Sequence, residues 1–222
     1  KNIESIISEN PKIVGFSVMA SNYNSTKEFS KKIKENQSKI IVVWGGPQAT
    51  NFHEEGLKEG CVDYIVLGEG EKTFFELSDR ILNGRSIYPN IDGIAGSKRT
   101  RIRLTGEEID SVDPRSLHQR DNYRELYAKQ IPHSIPASEM SFAMISGSRG
   151  CWNNCSFCSS KSMWGRKIAY RSSSKIVDEL EYLVKNKGVN FVFFGDDDFL
   201  INSRWAEKIS EGIIEREIKT NI

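Results

Sequence analysis

Nothing in the 222 residues approaches the roughly 20 consecutive apolar residues that a membrane-spanning helix needs. The opening stretch Lys1–Asn10 is polar and amphipathic, so no secretory signal is expected there. Charge is balanced, with 31 Lys and Arg against 30 Asp and Glu, a net charge of +1. No global field therefore argues for nucleic acid or a membrane surface. No G-x-x-x-x-G-K-[ST] run exists to cradle a triphosphate. Gly68-Glu69-Gly70 is a G-x-G, but the third glycine of a dinucleotide site is missing. Glu69 and Glu71 would also repel a pyrophosphate, which argues against a nicotinamide or flavin site. Histidine is scarce: His53, His118 and His133 lie at no finger-like spacing from any cysteine, which disfavours a structural zinc knuckle. Hydrophobic content of 38% and charged content of 27% are ordinary for a globular protein.

Only four cysteines are present, and three crowd into Cys151-Trp152-Asn153-Asn154-Cys155-Ser156-Phe157-Cys158. That number is odd and the spacing too tight for a disulfide framework. Three clustered thiolates suit one polynuclear metal centre, and iron–sulfur clusters are held by short cysteine runs of this kind. Three ligands leave one iron of a cubane open, as catalytic metal sites leave a position open. Gly150 and Ser146-Gly147-Ser148 upstream let the backbone wrap closely. Clustered free thiols imply a reducing, cytoplasmic setting. The fourth, Cys61, sits in an apolar context and reads as a small buried hydrophobe.

Along the chain, residues 2–9 read as the end of a helix. Lys12–Met19, Lys39–Trp44 and Asp63–Leu67 are short apolar, β-rich runs. Helical patterns follow each: one capped by Ser25 or Thr26 and running to about Glu35, one to Lys58, and Thr73–Leu82. Strands alternating with helices predict an open parallel α/β sheet. In such a sheet the turns Ser17–Met19, Gly45-Gly46 and Gly68–Glu71 share one edge, where ligands bind. Any one of these glycines also reads as a simple tight turn.

Residues 85–140 are rich in Gly, Pro, Ser and charge, with Pro89, Pro114, Pro132 and Pro136 as breaks. Gly93–Ala95 and Arg101–Leu104 are expected to pair as a hairpin. The basic residues Lys98, Arg99, Arg101 and Arg103 there read as a charged edge strand rather than a nucleic-acid contact. Phe142–Ile145 is expected to be a strand feeding the cysteine run. Ser172–Ser174 cap a helix over Lys175–Lys187, stopped by Gly188. Asn190–Phe194 is the next strand, ending in Gly195-Asp196-Asp197-Asp198, and a helix starts near Asn202 or Ser203. These are two βα units of a barrel, whose chemistry belongs at the carboxyl ends of its strands. The aspartates suit a ligand ammonium, a helix cap or a magnesium ion.

The cysteine run, with Phe157 before its last thiol, resembles the C-x-x-x-C-x-aromatic-C loop of the radical S-adenosylmethionine (SAM) enzymes. The resemblance implies a [4Fe–4S] cluster on Cys151, Cys155 and Cys158, with Phe157, Gly195, Asp196, Asp197 and Arg171 as SAM contacts. Ser17-Val18-Met19, Trp44-Gly45-Gly46-Pro47-Gln48-Ala49-Thr50 and Gly68-Glu69-Gly70-Glu71 together resemble the cobalamin (B12) domain that precedes such cores. It implies cobalamin contacts at Ser17, Met19, Gly45, Gly46, Pro47, Gln48, Gly68, Glu69, Gly70 and Glu71. Met19 stands for the usual Leu and Gln48 for the usual His. The family's D-x-H-x-x-G element is absent, which leaves the lower cobalt ligand without a candidate.

The expected architecture is therefore a Rossmann-like, B12-type parallel sheet over 1–84, lacking its first strand. A linker over 85–140 and the start of a TIM-type radical SAM barrel over 141–222 follow. The chain is expected to be a piece of a longer protein, inactive alone, since a full barrel needs about four more strands. The resemblance implies reductive cleavage of SAM to a 5′-deoxyadenosyl radical, then methyl transfer to an unactivated carbon of a small molecule. Its electron donor would be a flavodoxin or ferredoxin. A cyclase or ring-rearranging enzyme with the same cofactors is the alternative. A methylthiotransferase would need further N-terminal cysteines, and Cys61 alone is there. A non-catalytic cofactor-binding module is the reading from a different class.

Overall fold

The structure is a computed structural model, which describes residues 3–86, 91–96, 104–111 and 141–222. It divides into two compact units: Lys1–Arg103 with Asn154–Gly165, and Leu104–Asn153 with Arg166–Ile222.

The first unit is built on three parallel strands, β1 (Ile13–Ser17), β2 (Ile41–Gly45) and β3 (Tyr64–Ile65), in that order across the sheet. Helices fill the connections: α1 (Ile3–Ser8) before β1, α2 (Tyr23–Asn36), α3 (Gly46–Asn51), α4 (His53–Lys58) and α5 (Glu71–Leu82). The expected parallel α/β sheet is present. Side chains alternate across β2: Val42 and Trp44 enter one core with Ile33, Ile40 and Ile65, while Val43 enters another with Val66 and Leu77. Cys61 lies in the first of these cores as a buried hydrophobe. The wholly buried Trp44 donates its indole N–H to Ser30 Oγ at 2.9 Å. Both sheet faces are covered, as purely parallel sheets require.

Two local expectations change. Helix α2 starts at Tyr23, ahead of Ser25, and Asn22 stands before it without a side-chain cap bond. Ile94 pairs antiparallel with Val66, so 91–96 lies along β3. Arg101–Arg103 of the expected hairpin, the basic residues Lys98 and Arg99, and all of the expected linker from 112 to 140 lie outside the described residues.

In the second unit, β4 (Phe142–Ile145) and β7 (Phe191–Phe194) pair parallel, Phe142 opposite Phe191 and Ile145 opposite Phe194. More than one helix separates them in sequence. β5 (Ser148–Arg149) and β6 (Ala169–Tyr170) form a small antiparallel ladder, α7 (Ser160–Trp164) groups with the first unit, and α8 (Ser173–Lys187) completes the return. Gly188 ends α8 in the left-handed region at φ 65°, a conformation glycine adopts without cost. α9 (Ser203–Glu215) is capped by Asn202, whose side chain accepts from Trp205 N–H. Ala143, Ile145 and Val192 face Ile176, Leu180, Leu183 and Ile209 of these helices. The opposite face shows Phe142 stacked on Phe191, with Met144 and Phe193 half-exposed. Asn221 bridges Phe191 in parallel.

Gly147 follows β4 and packs closely. A Cβ there would lie 2.6 Å from Trp205 and 3.0 Å from Ile176. Gly147→Ala is therefore expected to lower stability by about 1–3 kcal/mol through overpacking, measured by chemical denaturation. A loss below the error of the measurement would show that Trp205 moves aside freely.

Candidate cofactor sites

In the first unit, glycines open the carboxyl edge of the sheet. Gly15 and Gly45 lie on the same face as Val43, because residues two apart in a strand share a side and Gly15 pairs with Val43. Glycine inside a strand weakens it, and marks a place where something else approaches the backbone. Here the space is a cavity of about 520 Å³, lined by Gly15, Ser17, Gly45, Gly46 and Gly70, with Phe74 of α5 among its walls.

The two neighbouring glycines differ. A Cβ on Gly45 would meet nothing closer than Val66 at 3.8 Å, so that residue leaves room open. Gly46 sits at φ +88°, and a Cβ would come within 3.0 Å of Ser17 Oγ and of the Val18 backbone. Gly46 is needed by the turn itself, whereas the protein's own packing does not demand a glycine at Gly45. The Ser17–Met19 turn is held by Asn22, which accepts from Met19 N–H at 2.7 Å and donates to Ser17 O at 3.0 Å. Thr50 Oγ1 accepts from Gly68 N–H at 3.0 Å and so ties α3 to the third turn.

Of the expected cobalamin set, Ser17, Gly45, Gly46, Gly70 and Glu71 line this cavity. Met19, Pro47, Gln48, Gly68 and Glu69 do not. Met19 is half-exposed, Glu69 is buried, and Gln48 N–H donates to Val18 O at 3.0 Å. Sequence reasoning missed Gly15, Phe74 and Asn22. The glycine inside the first apolar run was the signal for Gly15; nothing in the pattern pointed to the others.

In the second unit, the exits of β4 and β7 lie side by side. Gly195 N–H donates to Ile145 O at 2.8 Å. Asp196 accepts from Gly147 N–H at 3.1 Å and from the Ser148 hydroxyl. Asp197 is exposed. The helix cap offered as one use for these aspartates is supplied instead by Asn202. Burial pushes the Tyr170 phenol above its ordinary pKa, with Asp198 and Asp196 adding to the rise.

Arg171 departs from expectation. Its side chain is 8% exposed and pairs with Asp110 at 3.1 Å and with Glu179 at 2.8 Å. Nη1 also donates to Ser146 O at 3.1 Å. Asp110 belongs to α6 (Gly106–Asp110), and its second oxygen accepts from Ser172 N–H. The guanidinium is thus committed to the protein, and a contact with a SAM carboxylate is not carried forward.

The thiols are all free: Cys151 is half-buried, Cys155 and Cys158 are exposed. Ser160 N–H points at Cys158 Sγ at 3.5 Å. Phe157 is 91% exposed and Trp152 59%. Among the described residues no three His, Cys, Asp or Glu side chains are gathered as a metal site. The donor chemistry fits an iron–sulfur cluster: three unpaired thiols on a stretch without regular structure, two of them open to solvent.

The B12 binding domain family matches residues 1–78, and the Radical SAM superfamily matches residues 145–222. The chain belongs to the B12-dependent radical SAM superfamily. Among curated relatives of this superfamily member, an uncharacterized methyltransferase of Pyrococcus horikoshii is 32% identical, over 90% of this chain and 42% of its own. The anaerobic magnesium-protoporphyrin IX monomethyl ester cyclase of Rubrivivax gelatinosus is 29% identical, over 97% of this chain and 39% of its own. The chain thus spans about two fifths of these relatives. The radical SAM methyltransferase TsrM of Kitasatospora setae, solved with cobalamin and a [4Fe–4S] cluster, shares the fold. Its TM-score is 0.70 at 19% identity, covering 97% of this chain and 42% of that one. No helix among the described residues is long and apolar enough to cross a membrane.

Removing the Arg171 guanidinium would take from Asp110 and Glu179 the cation that both pair with. Arg171→Ala is expected to cost about 3–5 kcal/mol, read from denaturant midpoints. Arg171→Lys should recover little, because one ammonium cannot reproduce the fork. A loss under ~1 kcal/mol for Arg171→Ala would mean that water already serves these carboxylates.

Proposed function

We propose that this chain is the cofactor-binding portion of a cobalamin-dependent radical SAM enzyme that transfers a methyl group to an unactivated carbon of a small molecule. The observation that carries the reading is the order of its parts. In the chain, a glycine-lined cavity at a parallel sheet edge precedes a three-cysteine run that follows β4. Matches to 1–78 and 145–222 support reading 1–84 and 141–222 as two domains with 85–140 between them.

Cys151, Cys155 and Cys158 are the thiolates for three irons of a [4Fe–4S] cluster. When bound, the cluster supplies the electron for reductive cleavage of SAM, and cobalamin the methyl group for transfer. Phe157 offers its exposed ring to SAM, and Gly195 with Asp197 offers the polar end of β7 to the methionine ammonium. Ser17, Gly45, Gly46, Gly70 and Glu71 form the wall against which cobalamin lies. Met19, Pro47, Gln48, Gly68 and Glu69 are assigned to it on the sequence resemblance. A flavodoxin- or ferredoxin-type donor in the cytoplasm supplies the electron, a setting supported by four free thiols. The half-exposed apolar face of β4 and β7 is dressed as a barrel interior. Likeness to the Rubrivivax cyclase favours ring formation as the second reading.

Anaerobic reconstitution with iron and sulfide is expected to load about four irons per chain, and Cys155→Ala to abolish the loading. One zinc per chain, without sulfide, would remove the cluster from the proposal. For cobalamin, Gly45→Leu is the informative change, since the backbone there has room for a side chain. It should leave thermal stability close to wild type while weakening hydroxocobalamin binding at least tenfold, about 1.4 kcal/mol. Unchanged binding would place cobalamin elsewhere.

A further inference from the structure

Asp196 has both carboxylate oxygens turned onto the exit of β4. Oδ2 accepts from Gly147 N–H at 3.1 Å and Oδ1 from the Ser148 hydroxyl. Ser148 is 5% exposed, so this pairing is shielded from water. The same turn is held from other directions. Arg171 N–H donates to Gly147 O at 2.9 Å, and Arg171 Nη1 donates to Ser146 O at 3.1 Å. Trp205 packs on Gly147 and donates its indole N–H to Arg171 O at 2.9 Å. Ser146, Gly147 and Ser148 stand shortly ahead of Gly150 and Cys151 in the chain. A ligand ammonium at Asp196 would have to compete with two donors already in place, one of them a backbone N–H that is costly to leave unpaired.

We infer that Asp196 is a positioning residue: through Gly147 and Ser148 it sets the course of the chain into Cys151, and it influences SAM binding only through that loop. This rests on the radical SAM reading for its consequence at SAM, but not for the link to the turn. The carboxylate ties the exit of β7 to the exit of β4, so the cysteine loop starts from a fixed point.

A double-mutant cycle between Asp196 and Ser148 tests the inference. The chain is reconstituted anaerobically, and SAM is titrated against the electron paramagnetic resonance spectrum of the reduced cluster. D196A and S148A are each expected to raise the SAM concentration needed by about tenfold, with the double variant no worse than D196A, as for residues acting as one unit. D196N should retain most of the response. Its amide oxygen still accepts from Gly147 N–H, and its NH2 group can donate to Ser148 Oγ. In cluster-free protein, amide exchange over 147–151 should speed up in D196A and S148A, which loss of a SAM ligand alone would not cause. Wild-type behaviour of S148A together with D196N as weak as D196A would overturn the inference in favour of a direct charge contact. If wild-type protein took up no iron, the radical SAM reading would fail by itself. The exchange arm would still decide: unchanged exchange in D196A breaks the proposed link.

Discussion

Ser17 lies opposite Gly45, and Ile145 opposite Phe194, because the strands that carry them run parallel and in register. A parallel pair cannot be closed by a tight hairpin. Each strand must return through a long connection, so every strand ends on the same edge. That constraint places Ser17, Gly45 and Gly70 around one cavity although they are far apart in the chain. In the second unit it sets Gly195 beside Ile145, and from that pairing follows the reach of Asp196 to Gly147 and Ser148. The candidate chemistry of both units depends on strand direction before it depends on any side chain.

Glycine serves two different purposes on these edges. Gly46 and Gly147 are required by the protein's own packing, since a Cβ on either would press on atoms of neighbouring residues. Gly15 and Gly45 are not; a Cβ on either meets only ordinary contacts at 3.7 Å or more. A strand residue that forgoes a side chain where one would fit loses burial and gains unfolded-state entropy. The space thus kept open is the physical argument for a ligand in the first unit. It is stronger than the argument from turn glycines, which any tight turn would demand.

The second unit keeps a buried charge network close to its candidate site. One guanidinium stands between Asp110 and Glu179, with Ser146 O as a further acceptor. Such a group contributes little net stability compared with apolar packing, yet removing one member exposes the others. What it does provide is direction. Arg171 fixes where β4 ends, Trp205 fixes how closely Gly147 packs, and Asp196 fixes the next two residues. An apolar core would fill the same space without specifying the angle at which the chain leaves it.

The sequence alone determined the order of elements and the identity of the thiol donors. Apolar runs at Lys12–Met19, Lys39–Trp44 and Asn190–Phe194 are short, β-rich and set between amphipathic helical patterns, and the close spacing of Cys151, Cys155 and Cys158 is a local property that needs no fold to read. The superfamily was legible for the same reason, since its motifs sit on single turns. Partners across the chain were not legible. Nothing near Arg171 in sequence announces Asp110, and nothing in the run of three aspartates says that Asp196 turns inward while Asp197 meets solvent. The ladder of Ser148–Arg149 with Ala169–Tyr170 was also invisible, because two-residue strands carry no periodicity. Those pairings depend on which strand ends adjoin, and on burial that gives a charged group no partner but another part of the fold. Only the tertiary structure could decide them.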